Sequence, residues 1–222
     1  MAVVIPAGGI GTRLGRRTPK QFLALGGSPI LVATVRHFAR HPRVTGIVVP
    51  APAAHVERTR RLLGRMRGAP ITVVVGGGTR QESVSRGLAA VSTDSALVLV
   101  HDAVRPFITR ALIDAVLGAA RATGAAICAL PITETVKRVS GGLVEGTLDR
   151  SELVAVQTPQ AFRADLLREA HDKARRDGFT GTDDAMLVER LGQSVRVVAG
   201  LAENVKITTS VDLRRARARA RP

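Results

Sequence analysis

The chain has 222 residues, of which 45% are hydrophobic and 2% aromatic, and its formal net charge is +15. This length and hydrophobic content are typical of one folded domain, here residues 1–222, and argue against global disorder. The absence of Trp and Tyr argues against an RNA-binding surface built on base stacking. The positive charge suits anionic substrates, although a basic nucleic-acid-binding protein is an alternative interpretation of it.

Residue usage also bears on the compartment. The single cysteine, Cys128, lies in an apolar run and cannot form an intramolecular disulfide, so we expect a buried, inert thiol in a reducing cytoplasm. No apolar run approaches the ~18 residues of a membrane helix, and a basic segment typical of a secretory signal is missing from the N-terminus. Five arginines crowd residues 214–222, where we expect a solvated helix end rather than a nucleic-acid contact.

Strand-like and helix-like segments alternate along the first 131 residues. The strand-like runs are nearly continuously apolar, as in parallel strands buried on both faces. They are Ala2–Pro6, Val44–Pro50, Ile71–Val75, Ala96–His101 and Ala125–Pro131. The helix-length segments are Pro29–Arg40, Ala53–Arg67, Thr79–Val91 and Thr109–Thr123. This order predicts a three-layer, Rossmann-like α/β fold with a mostly parallel sheet.

The alternation stops at about Thr133. Residues 133–150 alternate weakly around Gly141-Gly142 and predict a β-hairpin. A disordered loop would fit the same residues, but we favour a protruding arm that packs on another subunit, since a lone hairpin is marginal in water. The segments predicted beyond it are a helix at about Arg163–Arg176, another helix opened by Thr180–Asp184 and ending at Leu191, a strand at Val195–Ala199 and a final helix near Ser210.

A loop rich in glycine and cations follows the first predicted strand. Its small and basic residues include Gly8, Gly9, Gly11, Arg13 and Lys20. Bare backbone and positive charge at the carboxyl end of a strand predict a phosphate site, although an ordinary solvated loop has a similar composition. A dinucleotide fingerprint is excluded, because the glycine spacing is one residue too long and no Asp or Glu precedes Glu57; a P-loop is excluded because there is no Gly-Lys pair.

Two further candidate sites follow predicted strands. Asp102 is placed to hold Mg²⁺, which keeps few protein ligands and takes others from substrate phosphates, although a turn cap would use the same residue. Gly77 allows backbone to approach a flat base, and Ser83, one turn into the next helix, can hydrogen-bond the same group. Helix capping and packing would explain Gly77 and Ser83 nearly as well.

Several motifs stand in order along nearly the whole chain. They are Ala-Gly-Gly-x-Gly-x-Arg with Pro-Lys-Gln-Phe, Gly-Gly-Gly-x-Arg-x-Glu-Ser-Val, His-Asp-Ala-Val-Arg-Pro, Gln-Thr-Pro-Gln, Thr-Asp-Asp-Ala and Asn-Val-Lys-Ile-Thr. This set closely resembles the 2-C-methyl-D-erythritol 4-phosphate cytidylyltransferases of the non-mevalonate isoprenoid pathway. The enzymes that activate ribitol 5-phosphate share the motifs and are the nearest alternative. A guanylyl- or uridylyltransferase on the same fold is a more distant one.

The resemblance implies a nucleotidyltransferase fold, with CTP and a polyol phosphate as substrates, Mg²⁺ as cofactor and a homodimer joined through the arm at residues 133–150. The phosphate of 2-C-methyl-D-erythritol 4-phosphate would attack the α-phosphate of CTP, giving 4-diphosphocytidyl-2-C-methyl-D-erythritol and pyrophosphate. A phosphate monoester has its second pKa at about 6, so it needs no general base at neutral pH. We expect neither nucleic acid nor a membrane as partner.

The resemblance also implies roles for individual residues. Arg13 and Lys20 would stabilise the triphosphate and its transition state, with Gly9 and Gly11 in the same loop, and Asp102 would bind Mg²⁺. The cytosine and neighbouring atoms would be held by Ala7, Gly8, Gly77 and Ser83. The residues expected on the sugar phosphate are Arg150, Thr158 and Lys206 from one subunit, with Thr135 and Arg105 from the second.

Two residues depart from the family pattern. Gly8 stands where the family often has Ala, which is a mild change. Gly78 stands where some members carry an Asp near the base, so a side-chain contact is missing there. We therefore expect base selectivity to depend on backbone groups and Ser83.

Overall fold

A computed structural model describes residues 1–8 and 18–220. Its strands and helices are, in chain order, β1 (Ala2–Val4), β2 (Ala24–Leu25), β3 (Ser28–Pro29), α1 (Ile30–Ala39), β4 (Gly46–Ala51), α2 (Val56–Leu63), β5 (Ile71–Val75), α3 (Arg80–Ala89), β6 (Leu97–Val100), α4 (Arg110–Thr123), β7 (Ala125–Pro131), β8 (Lys137–Ser140), β9 (Leu143–Thr147), β10 (Val154–Arg163), α5 (Ala164–Arg176), α6 (Asp184–Glu189), β11 (Arg196–Ala199) and α7 (Ser210–Arg219). Short 3₁₀ helices lie at Lys20–Phe22, Ala53–His55 and Arg150–Glu152.

Seven strands form the main sheet, in the order β11-β7-β10-β6-β1-β4-β5. Its neighbours pair in parallel except for β10, which is antiparallel to both β6 and β7. The predicted mostly parallel sheet is therefore confirmed, and β10 is an element that the sequence pattern did not reveal. The pairing of β10 with β7 shifts between Val156 and Gln160, so residues 157–159 leave the ladder beside the carboxyl end of β6.

Helices cover both faces of this sheet. Successive side chains of β1 point to opposite faces, so Val3 packs in a core with residues of α1, α2 and α4, whereas Val4 packs with α3, α5 and α6. Both valines are fully buried. The predicted three-layer arrangement is confirmed, and its two cores share the sheet between them.

A third, smaller core returns the end of the chain to the sheet. Leu213 of α7 and Ile207 pack with Val104, just beyond β6. The amide of Ile207 donates to the carbonyl of Val104 at 3.0 Å. This contact fixes the adjacent Lys206 near the carboxyl end of β6.

The predicted hairpin is confirmed as a separate two-stranded sheet of β8 and β9. Gly141 and Gly142 have φ values of +55° and +81°, the left-handed conformation that a tight hairpin turn requires. The arm exposes large apolar side chains, including Leu143 at 76% and Val144 at 63% of their full accessibility. We call residues 133–150 the arm below.

Two further expectations from composition are met. Cys128 in β7 is fully buried, and this burial raises its thiol pKa to about 12, as expected of an inert cysteine. The four arginines of α7 are exposed, as predicted for a solvated helix end. Within residues 1–8 and 18–220, no helix has the length and apolar content needed to cross a bilayer.

Candidate active site

A cavity of about 340 Å³ opens at the carboxyl ends of β1, β5 and β6. Its lining includes the predicted residues Ala7, Gly8, Lys20, Gly77, Ser83, Asp102 and Lys206. Gly78 and Thr79 also line it, as do Gln21 and Arg80, to which no role was assigned from the sequence. The fold thus brings together residues from five separate segments, as expected for the ligand-binding edge of an open α/β sheet.

One wall of this cavity is the loop between β5 and α3. The hydroxyl of Ser83 accepts from the amide of Gly77 at 3.1 Å and donates to the carbonyl of Thr79 at 2.9 Å. Thr79 caps α3, accepting from the amide of Glu82. A Cβ at Gly77 would lie 2.2 Å from Cβ of Glu82, so only glycine fits there. The wall therefore consists of closely packed backbone. Ser83 holds the loop through these hydrogen bonds and also lines the cavity.

A second part of the lining begins where β1 ends. Gln21, which is 1% exposed, donates through Nε2 to the carbonyl of Ala7 at 2.7 Å. Lys20 belongs to the same short 3₁₀ helix as Gln21. The bond therefore attaches this helix to the end of β1. Gly9, Gly11 and Arg13 lie outside the described residues, so their predicted roles rest on the sequence alone.

Three cations surround the carboxylate of Asp102. Arg80 Nε lies 3.2 Å from Oδ1, while Lys206 Nζ and Arg105 Nε lie 2.9 and 3.4 Å from Oδ2. Burial alone would raise the pKa of Asp102, but Arg80, Lys206 and Arg105 outweigh it and hold the pKa well below its usual range. The carboxylate is therefore ionised, and the cluster has a net positive charge.

A buried histidine sets the position of Thr158 behind Asp102. The Nε2 of His101 lies 3.1 Å from the carbonyl of Arg105, so Nε2 carries the proton and Nδ1 accepts from the hydroxyl of Thr158 at 3.2 Å. That hydroxyl accepts in turn from the amide of Asp102 at 3.0 Å. Burial lowers the pKa of His101 to about 4, which keeps the ring neutral. His101 thus has a structural role, because both of its ring nitrogens are hydrogen-bonded within the protein.

A second cavity of about 260 Å³ adjoins the first. Its lining includes Arg105, Gln157 and Thr158. Arg80, Asp102 and Lys206 line both cavities and form the wall between them. Two adjoining cavities that share a positively charged wall suit a reaction between two anionic molecules.

Comparison with known proteins now bears on the chemistry. The model of the family "IspD: 2-C-methyl-D-erythritol 4-phosphate cytidylyltransferase" matches residues 1–221. The chain belongs to this family.

Individual IspD relatives agree with this assignment. The chain is 48% identical to a 2-C-methyl-D-erythritol 4-phosphate cytidylyltransferase from Solibacter usitatus, over 96% of this chain and 92% of the relative. It is similar to the crystal structure of the cytidylyltransferase from Thermus thermophilus, at 40% identity and a TM-score of 0.83, covering 100% and 98% of the two chains. The structure of 4-diphosphocytidyl-2C-methyl-D-erythritol synthase from Anaerococcus prevotii has a TM-score of 0.87 at 32% identity, covering 98% and 96%.

IspD membership decides between the alternatives that the sequence left open. Because the family is one of cytidylyltransferases, it is favoured over a guanylyl- or uridylyltransferase. It is also favoured over a basic nucleic-acid-binding protein. The relatives above are named for methylerythritol phosphate rather than for ribitol phosphate.

Arg105 lies elsewhere than the sequence analysis expected. It was assigned to a partner's site, but its side chain is 10% exposed, contacts Asp102 of its own chain and donates to the carbonyl of Asn204 at 2.7 Å. These buried contacts hold Arg105 in the second cavity of its own chain, whereas the resemblance assigned it to the site of a second subunit.

The two arm residues, Thr135 and Arg150, line neither cavity of their own chain. Both are exposed. Arg150 donates through Nη1 to the carbonyl of Thr133 at 2.6 Å, which ties it to the base of the arm. Arg150 and Thr135 thus belong to the same arm, although the resemblance assigned them to different subunits.

The chemistry of Asp102 is compatible with Mg²⁺. Its carboxylate is ionised and lines both cavities, and among the described residues Oδ1 contacts a single cation, Arg80. Across residues 1–8 and 18–220, no group of three or more His, Cys, Asp or Glu side chains is arranged to hold a metal. A magnesium ion bound through Asp102 would take its other ligands from phosphates and water, as this ion commonly does.

Proposed function

We propose that this chain transfers the cytidylyl group of CTP to 2-C-methyl-D-erythritol 4-phosphate, forming 4-diphosphocytidyl-2-C-methyl-D-erythritol and pyrophosphate in isoprenoid precursor biosynthesis. The observation that carries the proposal is the shared wall of Arg80, Asp102 and Lys206 between two adjoining cavities. One anionic substrate on each side of that wall would meet where positive charge is concentrated.

CTP is proposed to occupy the first cavity. Backbone at Ala7, Gly8 and Gly77, together with Ser83, would surround the cytosine and neighbouring atoms. Lys20 lines the same cavity and would contact the triphosphate, with Arg13 from the preceding loop. Lysine acts on phosphate as a point charge and arginine as a bidentate clamp, so the two residues would stabilise different oxygens.

The polyol phosphate is proposed to occupy the second cavity. Lys206, Thr158 and Arg105 line it and would bind the attacking phosphate. Its second pKa is about 6, so the phosphate is largely a dianion at neutral pH and attacks without a general base. The nearby His101 fits this mechanism, because it is fully buried and both of its ring nitrogens are hydrogen-bonded within the protein.

The principal work of such a site is electrostatic. Two polyanions must approach each other, and negative charge then grows on the oxygens around the α-phosphorus. Preorganised cations at that position stabilise the transition state without reorganising during the reaction. Mg²⁺ held by Asp102 would supply further charge neutralisation for the phosphates.

The arm is proposed to join two copies of the chain into a homodimer. Leu143 and Val144 are large, apolar and mostly exposed, which is costly for a hairpin without a partner. A second copy would cover these side chains. It would also present its own Thr135 and Arg150 to the sugar phosphate of the neighbouring site.

The deciding experiment is incubation of the protein with CTP, Mg²⁺ and 2-C-methyl-D-erythritol 4-phosphate, followed by pyrophosphate release and product mass. Formation of 4-diphosphocytidyl-2-C-methyl-D-erythritol is the expected result. Preference for ribitol 5-phosphate would indicate the related polyol enzyme, and preference for another nucleotide would overturn the assignment of CTP. Salt-sensitive duplex binding without pyrophosphate release would favour the nucleic-acid-binding alternative.

A further inference from the structure

A chain of four charged or polar side chains leads from the candidate active site into the protein. Asp102 Oδ1 lies 3.2 Å from Arg80 Nε, and Arg80 Nη1 lies 2.8 Å from Asp184 Oδ2. The other oxygen of Asp184, Oδ1, lies 3.0 Å from Nε2 of His171. Each contact has hydrogen-bonding distance, so the four side chains form one continuous network.

The network becomes more buried with distance from the cavities. The side chain of Arg80 is 28% exposed and lines both cavities, whereas those of Asp184 and His171 are only 1% and 3% exposed. The four residues lie at the end of β6, at the first residue of α3, at the first residue of α6 and within α5. Contacts across four elements fix the plane of the Arg80 guanidinium.

Asp184 has no direct access to a substrate, because Arg80 stands between it and the cavities. Its pKa is lowered, since the nearby Arg80 and His171 outweigh the burial that would raise it, and it is therefore a buried anion. Buried ion pairs contribute little net stability compared with apolar packing, because both charges must be desolvated. A role in orienting Arg80 accounts for a buried charge at this position.

We propose that Arg80 and Asp184 are positioning residues for the cytidylyl transfer, an inference that rests on the proposed function. Asp184 holds one branch of the guanidinium, and Arg80 then holds Oδ1 of Asp102 so that Oδ2 faces Lys206. The planar fork of arginine can bridge two carboxylates in this way, and the compact ammonium of lysine cannot reproduce that geometry. His171 supports the far end by donating from Nε2 to Asp184.

The test uses the full chain with Arg80→Lys, Asp184→Asn and the double variant, assayed for pyrophosphate release at a temperature where thermal unfolding shows each to be folded. We expect kcat to fall by about 10-fold to 10²-fold in each single variant, the scale typical of small displacements of catalytic groups, with a smaller change in KM. If Asp184 acts through Arg80, the double variant loses about as much as Arg80→Lys alone.

Asp114→Asn is the control, although its side chain is 35% exposed and that of Asp184 is 1% exposed. Asp114 also pairs with a buried histidine, His41, at 3.2 Å, but it lies on α4 and lines neither cavity. We expect this variant to change the thermal midpoint and to keep kcat near that of the unmodified protein. It therefore separates loss of a His–Asp pair from loss of this particular network.

Three outcomes would overturn the inference. One is a normal kcat with only a lower thermal midpoint in Arg80→Lys and Asp184→Asn, which would make the network purely structural. Another is a double variant whose loss equals the product of the two single losses, which would mean that Asp184 acts independently of Arg80. The third is an equal loss of kcat in Asp114→Asn. An unmodified protein that releases no pyrophosphate would instead contradict the proposed function itself.

Discussion

Lys206 Nζ lies 2.9 Å from Oδ2 of Asp102, although the two residues come from opposite halves of the chain. The small core around α7 makes this contact possible, because it anchors Ile207 to the backbone of Val104. The ammonium is therefore held between the two cavities before any substrate binds. Preorganised charge of this kind stabilises the transition state without reorganising during the reaction.

Replacing Lys206 with methionine keeps much of the side-chain length and removes its charge. We expect kcat to fall by about 10²-fold or more, the scale for one lost electrostatic donor. The rate of pyrophosphate release at saturating CTP and polyol phosphate would measure kcat. Lys173→Met is the control, since Lys173 pairs with Asp177 on the surface of α5, away from both cavities. Equal activity of the two variants would exclude Lys206 from the transition state.

Lys20→Ala tests the nucleotide side of the site. Lys20 lines the first cavity, and its ammonium is proposed to contact the triphosphate. We expect a loss in kcat of about 10²-fold or more on the same electrostatic grounds. Near-normal turnover, with Lys173→Ala again as control, would remove Lys20 from the set of catalytic residues.

Arg150→Ala tests the arm residue nearest the hairpin base. If Arg150 binds the sugar phosphate, its loss raises KM for 2-C-methyl-D-erythritol 4-phosphate and leaves KM for CTP nearly unchanged. Initial rates over a range of each substrate would separate the two constants. Arg175→Ala, which removes an exposed arginine paired with Asp172 on α5, is the control. An unchanged KM for the polyol phosphate would contradict the role.

Removing apolar character from the arm tests the proposed dimer. In the variant Leu143→Glu with Val144→Glu, charge would replace the exposed apolar surface, and a second copy could no longer cover it favourably. We expect this variant to be monomeric by light scattering and to lose activity. We expect the same of a variant that lacks residues 135–150. Val211→Glu introduces one charge at an exposed valine of α7 and is expected to change neither. A dimer that survives the arm variant would locate the interface elsewhere.

Asp212 supports the helix that follows Lys206. Its Oδ2 accepts from the amides of Thr208 and Thr209 at 3.0 and 2.8 Å, completing a capping box. Burial would raise its pKa, but these hydrogen bonds outweigh it and lower the pKa to about 2. We expect Asp212→Ala to reduce the free energy of unfolding at pH 7 by about 1 kcal/mol, as for other lost N-terminal caps.

The sign of the pH dependence follows from the lowered pKa of Asp212. Its contribution is complete above the unfolded pKa of about 4 and is lost as the pH falls through the folded pKa of about 2. Denaturant unfolding of the unmodified protein and of Asp212→Ala should therefore differ more at pH 7 than near pH 2. Asp172→Ala, which removes an exposed carboxylate, is the control. A difference independent of pH would show that the lost contact is not that of the carboxylate.

Local patterns predicted the elements that local physics controls. Apolar runs identified β1, β4, β5, β6 and β7. Of these, β1, β4 and β6 are buried along nearly their whole length, and strands buried on both faces need no alternation. The strand β10 was missed because its sequence contains Pro159 and the polar Gln157 and Gln160, which argue against a central strand. In the structure, residues 157–159 leave the ladder with β7, and this irregularity accommodates the proline.

The sequence could predict that residues lie near one another where the ligand-binding edge of the sheet decides their position. Asp102 and Gly77 follow strands, so their place at one edge could be predicted from chain order. The link between Arg80 and Asp184 could not, because the pair is long-range and depends on how α3 and α6 pack. Motif spacing carries no information on which chain completes a site, so it could not place Arg105 in the second cavity of its own chain.

Burial of Cys128 has a practical consequence for experiments on the arm. It is the chain's sole cysteine, and with a thiol pKa of about 12 it stays protonated and shielded at neutral pH. We therefore expect the unmodified protein not to react with maleimide reagents at neutral pH. A Ser140→Cys variant would carry one reactive handle at the hairpin tip, where paired spin labels could report distances between two copies directly.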